Sequence, residues 1–286
     1  MEKCESSITK LREVTRNVIN GPKVVTHQIE GISPKAVVFP ENPVELQKTL
    51  EIAYIHKMSV APWGGGTQIS IGNVPNHIDI VLDLSRLNRV IEHNPGDLTA
   101  TVEAGITLTN LQKKLGEHKQ FLAIDTPLPN QATVGGILAT GMSSSLKWQY
   151  GNPRDTVIGM KVTHPDGKIT KSGGQVVKNV SGYDMSRLHV GGLGTLGIIT
   201  EVSLKLTPLP ASETTLIATF RDAEPCINSS LGIFHSDIIP LSITTFNNLA
   251  NIQTQATSLS GNWFLAIRLG GRSKYLERQL QECNLI

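Results

Sequence analysis

Apolar positions recur along this chain with two periods, and the points where the period changes divide it into elements. Ile8, Leu11, Val14 and Val18 fall at helical spacing, which predicts an amphipathic helix over residues 6–19, ended by Asn20-Gly21-Pro22. Ala36–Phe39 is apolar and β-branched and reads as a strand. Asn42 then offers a helix cap, with Pro43 at the first helical position and Glu45 three residues after the cap. That helix should run to about Lys57, and Val60-Ala61-Pro62 leads from it into Trp63-Gly64-Gly65-Gly66-Thr67, so a β-α-β unit ends on a glycine loop. Beyond Ile78, short apolar runs at 80–82, 90–91 and 99–102 predict antiparallel strands, with Asn94-Pro95-Gly96-Asp97 turning between the last two. Thr107 caps a helix that places Leu108, Leu111 and Leu115 on one face and closes at Gly116. Val157–Thr163, Pro165-Asp166-Gly167 and Lys168–Lys171 read as a hairpin. Pro208 and Pro210 mark a domain boundary. After it, 214–220 and 263–269 are apolar and 273–282 has a charged helical pattern, few residues for a core of their own.

Composition narrows the class of protein. With 286 residues, 39% of them hydrophobic, the chain can fill about two domains. Its net charge is +2 and its basic residues are scattered, so it carries no nucleic-acid footprint. Cys4, Cys226 and Cys283 lie far apart, without a CxxC pair or a nearby histidine. Neither zinc nor an iron–sulfur cluster therefore has a ligand set, and free thiols in a reducing compartment are expected. No signal-like run and no stretch of roughly 20 apolar residues appears, so the expected location is cytoplasmic, with no membrane span.

Two glycine-rich runs carry the candidate chemistry. Pro62-Trp63-Gly64-Gly65-Gly66-Thr67 follows a strand directly, and three adjacent glycines allow positive φ and inward-facing amides, a nest suited to a diphosphate. The alternative is a flexible turn. The loop lacks the Gly-Lys-Ser/Thr ending of a Walker A motif. In Ala132-Thr133-Val134-Gly135-Gly136-Ile137-Leu138-Ala139-Thr140-Gly141, small residues leave room either for a flat ligand or for a tightly packed helix start. Tyr150-Gly151-Asn152-Pro153-Arg154-Asp155 reads as a turn that Asp155 can hold with its side chain. Gly192–Gly197 fits GxGxxG, yet the β-branched alternation of Ile198–Leu204 predicts a strand where a Rossmann site needs a helix.

These motifs, with Gly194-Thr195-Leu196-Gly197-Ile198-Ile199-Thr200, occur in an order that resembles the vanillyl-alcohol-oxidase-type (PCMH-type) flavoproteins over residues 33–210. Within that family, Gly173–Asp184 looks most like the smaller FAD-binding subunit of bacterial three-part glycolate oxidase. The resemblance implies an α+β fold: a lead-in at 1–32, a two-subdomain FAD-binding domain at 33–210 split near 105, and a truncated cap at 211–286. It implies that Gly64, Gly65, Gly66 and Thr67 wrap the pyrophosphate, with Pro62, Trp63 and Gln68 also in the cofactor-binding site. Thr133, Gly135, Gly136, Gly141 and Ser143 would line the flavin and its phosphates, Pro127 and Pro129 would shape the same wall, Gly151 and Asp155 would belong to the site, and Gly197, Ile198 and Ile199 would lie along the cofactor. Members with covalent FAD use a histidine or cysteine near the flavin; here Thr67-Gln68 follows the first loop, so FAD should be noncovalent. Lys178, Tyr183 and Asp184 are candidate polar groups near the flavin, with Tyr183 equally suited to anchoring the core. His56, His77, His93, His118, His164, His189 and His235 sit singly in sequence and read as surface or packing residues.

Two functions of different class follow from the resemblance. One is an oxidoreductase subunit that passes electrons from a small 2-hydroxy acid through FAD to a larger FAD-binding catalytic subunit and an iron–sulfur subunit. The other is a noncatalytic assembly subunit of the same kind of complex. The catalytic residues stay unassigned, because nothing after Pro210 resembles the histidine and carboxylate set of active hydroxy-acid dehydrogenases.

Overall fold

In the computed structural model, which describes residues 2–174, 184–247 and 261–284, the first helix, α1 (Glu2–Val14), buries Ile8 and Leu11 and stops at Val14. Val18 does not continue it. Strand β1 (Val18–Asn20) runs antiparallel to β2 (Ala36–Val38), with Val18 opposite Val38, so the helix expected to reach residue 19 loses its last apolar position to sheet pairing. A 3-10 turn, Gly21–His27, links the two strands. α2 (Pro43–Ile55) starts where its cap predicts: the Asn42 side-chain oxygen accepts hydrogen bonds from the amides of Val44 and Glu45 at 3.1 and 3.0 Å. β3 (Val60–Trp63) and β2 both lie parallel to β4 (Ile80–Asp83), in the order β1-β2-β4-β3. The Ile80–Leu82 run is therefore the middle of three parallel strands and not an antiparallel strand. All four residues of β4 are buried, as a strand covered on both faces requires. Leu11, Leu46, Leu50, Ile80 and Leu82 fill one side, and Val24, Ile29, Val37 and Val81 the other.

The second sheet is antiparallel and begins with β5 (Val90–Asn94) and β6 (Thr99–Glu103). α3 (Leu108–Gly116) is capped by the Thr107 hydroxyl and buries Leu108, Leu111 and Leu115. Gly116 is its last residue, and Lys119 at φ +57° makes the left-handed turn instead. β7 (Gln120–Phe121) follows, then α4 (Val134–Thr140), closed by Gly141 in the left-handed region at φ +61°. Residues 143–151, with α5 (Lys147–Tyr150), leave this unit, and the chain rejoins it at Asn152. The predicted hairpin is β8 (Val157–Thr163) with β9 (Ile169–Gly173), Thr163 opposite Ile169. After α6 (Ser186–His189), β10 (Ile198–Lys205) enters between β6 and β8, giving the order β5-β6-β10-β8-β9. β11 (Thr207–Pro208) pairs with β7. The core beneath α3 and α4 contains Val102, Leu111, Leu138, Met160, Val202 and Leu204. Neighbouring residues at the start of β10 serve both cores: Ile198 packs with the first sheet and Ile199 with the second.

The second unit consists of Ser143–Gly151 and Leu209–Ile286. β12 (Ser212–Phe220) and β14 (Trp263–Gly271) pair without interruption from Ser212 opposite Gly271 to Phe220 opposite Trp263, and β13 (Ser242–Asn247) flanks β14 on its other edge. α7 (Ala223–Phe234) and α8 (Ser273–Cys283) pack on this sheet over Cys226, Ile233, Leu265, Ile267, Leu269 and Leu276. The C-terminal residues thus do build a core of their own, contrary to the expectation from length, because β14 lays Leu265, Ile267 and Leu269 in one cluster with Cys226 and Ile233 of α7 and Leu276 of α8. No helix of the described residues is long and apolar enough to cross a membrane.

Candidate functional site

β3 delivers Trp63 directly into the first glycine loop. Of its three glycines only Gly66 has positive φ, +67°. Gly64 and Gly65 are required for a different reason, close approach. A Cβ on Gly64 would collide with the Thr133 hydroxyl, and one on Gly65 with the carbonyl oxygen of Gln131. At Gly66 a Cβ would lie 2.5 Å from the Trp63 indole. Among the described residues, the amides of Gly65, Gly66 and Thr67 donate to no acceptor, while the Ile71 amide reaches the Gln68 carbonyl at 3.1 Å and closes the loop. Unclaimed backbone donors in a concave turn are the chemistry that binds phosphate oxygens.

The second glycine run resolves to a short, closely packed helix. The Thr133 hydroxyl accepts from the Gly136 amide at 3.2 Å. The Gly135 amide donates to the Ala104 carbonyl at 2.7 Å, and a Cβ on Gly135 would lie 2.7 Å from that of Ala104. At the other end, a Cβ on Gly141 would lie 2.9 Å from the Cα of Gly191. The Gly191 and Leu193 amides donate to the Leu138 and Ala139 carbonyls at 2.9 and 2.8 Å. A Cβ on Gly194 would come 2.7 Å from Pro62. Segments 62–66, 131–141 and 191–194 therefore interlock in one unit through glycine. Gly197 meets Val162 of β8, and β10 follows it, so the Gly192–Gly197 match to a dinucleotide fingerprint lacks its helix. Ile198 and Ile199 are 5% exposed, which leaves only their backbone to face a ligand.

Other expected residues have structural duties. The Asp155 carboxylate accepts from the Asn152 amide at 2.9 Å and holds the turn before β8. The Pro129 carbonyl accepts from the Thr109 amide at the start of α3, and Pro127 is exposed. Ser143 and Gly151 belong to the second unit. Lys178 and Tyr183 lie outside the described residues; Asp184 pairs with Arg187 at 2.8 Å.

Four histidines that stand alone in sequence form two pairs in the fold: His93 with His118 at 5.1 Å between rings, and His164 with His189 at 6.1 Å. The second pair borders a cavity of about 560 Å³ lined also by Met160, Thr170, Lys171 and Leu188. Burial, reinforced by His164, pushes the pKa of His189 down. In the second unit, the Arg268 guanidinium is held by Glu213 and Arg278 by Glu282. Burial pushes the Tyr150 phenol up, with Glu213 adding to it. No group of three or more potential metal-ligating side chains occurs among the described residues.

His27 belongs to no sequence motif. Its Nε2 lies 2.9 Å from the Asp83 carboxylate, and its ring sits 4.9 Å from Trp63 and 5.6 Å from Phe39. No spacing in the sequence connects residues 27, 63 and 83, so only the fold brings this cluster together.

The family described as FAD binding domain matches residues 34–173. The glycolate oxidase subunit GlcD of Bacillus subtilis is 33% identical over 210 residues, covering 73% of this chain and 45% of the relative. The mitochondrial D-lactate dehydrogenase [cytochrome] of Arabidopsis thaliana is 32% identical over 227 residues, covering 79% and 39%. The chain thus spans less than half the length of either. Among solved structures, an alkyldihydroxyacetonephosphate synthase superposes with a TM-score of 0.83 at 21% identity, over 98% of this chain and 60% of that one. p-Cresol methylhydroxylase with substrate bound superposes with a TM-score of 0.79 at 18% identity, over 99% and 64%.

Proposed function

We propose that this chain, a member of the FAD-binding domain family with the vanillyl-alcohol-oxidase-type fold, serves as a subunit of a 2-hydroxy-acid oxidoreductase and holds FAD noncovalently. The observation that carries this reading is the loop at 64–67, whose unclaimed amides lie beside two other glycine segments of the same unit. These residues fit a diphosphate. The amides of Gly65, Gly66 and Thr67, with the Thr67 hydroxyl, would hold its oxygens, each charge-assisted hydrogen bond contributing about 1.5–3 kcal/mol. Thr133, Gly136 and Gly141 would border the cofactor, and the backbone at Gly197 would lie along it. When bound, FAD supplies the hydride acceptor; the protein's task is to bind and orient it. No histidine or cysteine follows the glycine loop, where Thr67-Gln68 stands, which supports a noncovalent link.

The substrate in this reading is a small 2-hydroxy acid such as glycolate, taken from the names of the relatives, and the partners are a larger flavoprotein and an iron–sulfur subunit in the cytoplasm. Since two of the second unit's four arginines, Arg268 and Arg278, are each bound by a carboxylate of their own unit, a noncatalytic assembly role is the second reading. Purified chain should show flavin absorption bands, and acid precipitation should release all flavin into the supernatant. Flavin retained in the washed pellet would overturn the noncovalent link, and a colourless protein that takes up no added FAD would overturn the cofactor assignment. Bleaching of bound flavin by glycolate only when the partners are present selects the first reading; no bleaching even with them selects the second.

A further inference from the structure

Gly66 keeps its left-handed backbone directly against the Trp63 indole, the ring occupying the space where a side chain at 66 would begin. The orientation of that ring therefore governs the loop. Trp63 stands opposite Asp83 in the β3–β4 register, and the Leu84 amide donates to the Trp63 carbonyl at 2.9 Å, so backbone pairing fixes the residue but not its side chain. The side chain is fixed from the far side by His27, which arrives on the 3-10 turn and is wedged between Trp63 and Phe39. The buried Asp83 carboxylate is shared: Oδ1 accepts from the Ser85 amide at 2.8 Å, and Oδ2 lies 2.9 Å from His27 Nε2. Ile69, just beyond the glycines, packs with Trp63 on the same apolar cluster, so both ends of the loop rest on one surface.

We propose that His27 is a positioning residue for the cofactor loop: tethered to Asp83, it locks the Trp63 indole against Gly66 and so fixes the amides that face the diphosphate. The inference rests on the FAD reading of that loop. A hydrogen-bonded aromatic wedge restricts rotation of the indole, and preorganised donors bind more tightly than donors that must be ordered on binding.

The chain contains three tryptophans, so a Trp148→Phe, Trp263→Phe parent leaves Trp63 as its single indole. FAD affinity and Trp63 emission are measured in this full-length parent and its variants. His27→Ala should weaken FAD about tenfold and shift the apoprotein's emission to the red, while His27→Gln, which returns a nitrogen near the Nε2 position, should recover most of both. Trp63→Leu should weaken FAD similarly, and adding His27→Ala to it should cost little more, because the two act through one contact. Affinity within twofold of the parent in His27→Ala, or losses from the two substitutions that simply add, would overturn the proposal. Gly65→Val separates the two levels of the argument. If it abolishes binding while His27→Ala does not affect it, only the positioning role fails; if it binds FAD as the parent does, the loop assignment fails and the role of His27 with it.

Discussion

A Cβ on Gly65 would strike the carbonyl oxygen of Gln131, and that peptide cannot easily yield, because the Gln131 and Ala132 amides are both bonded to the Leu128 carbonyl at 2.9 Å. Gly65→Val should therefore displace the loop at a cost of about 1–3 kcal/mol and yield protein without flavin. Gly192→Ala, whose nearest atoms stand 3.2 Å away, should keep nearly full occupancy. The flavin-to-protein absorbance ratio of the two purified variants decides it. The need for glycine at 65 was legible in sequence, but its reason was not: positive φ is a local property, whereas the collision partner is distant in the chain. His189 carries a second prediction. Burial, then His164, lowers its pKa below the ordinary 6.5. The unfolded chain then takes up the proton first as pH falls, so this contribution to stability is complete above about 6.5 and is lost as pH drops through the lowered folded value. Melting temperatures at about pH 7.5 and 5.5 should diverge less in His189→Gln than in the parent; an unchanged difference would remove His189 from the account.

Elements declared themselves wherever the deciding contacts are local. Asn42 and Thr107 cap helices as read, since a cap bonds amides two or three residues on. Asn42→Ala should lower stability by about 1 kcal/mol, seen as a reduced melting temperature of the first unit with the flavin ratio unchanged. β10 was legible as a strand because β-branched alternation after Gly197 is inconsistent with a helix. The errors fell where partners are remote. Val18 fits a helical stripe and a strand equally well until Val38 claims it, and the Ile80–Leu82 run shows its parallel pairing only once β2 and β3 flank it. α7 and β13 showed no periodic signal, as only Cys226 and Ile233 of α7 are deeply buried.

At the level of the whole molecule, removing hydride from a 2-hydroxy acid needs a base at the hydroxyl and a cation at the carboxylate. Among the described residues of the second unit, Arg268 and Arg278 already have carboxylate partners, Arg221 and Arg272 stand on separate segments at the start of α7 and of α8, and His235 stacks edge-on against Phe234. The FAD-loaded chain alone should turn over glycolate or D-lactate about 10²- to 10⁴-fold more slowly than with the proposed partner subunits. Anaerobic mixing checks this, and rapid bleaching by either acid without partners would refute it. The family was legible from four ordered motifs; the substrate was not, because nothing in the second unit has a recognisable spacing. The brief departure of residues 143–151 from the first unit also sets an order of events during synthesis. Trp148, on α5, rests 4.9 Å from the ring of Phe234, a residue the ribosome delivers much later. At roughly 5–20 residues per second, this strip emerges several seconds before its sheet exists. Until then Trp148 lacks the ring it rests against in the folded unit.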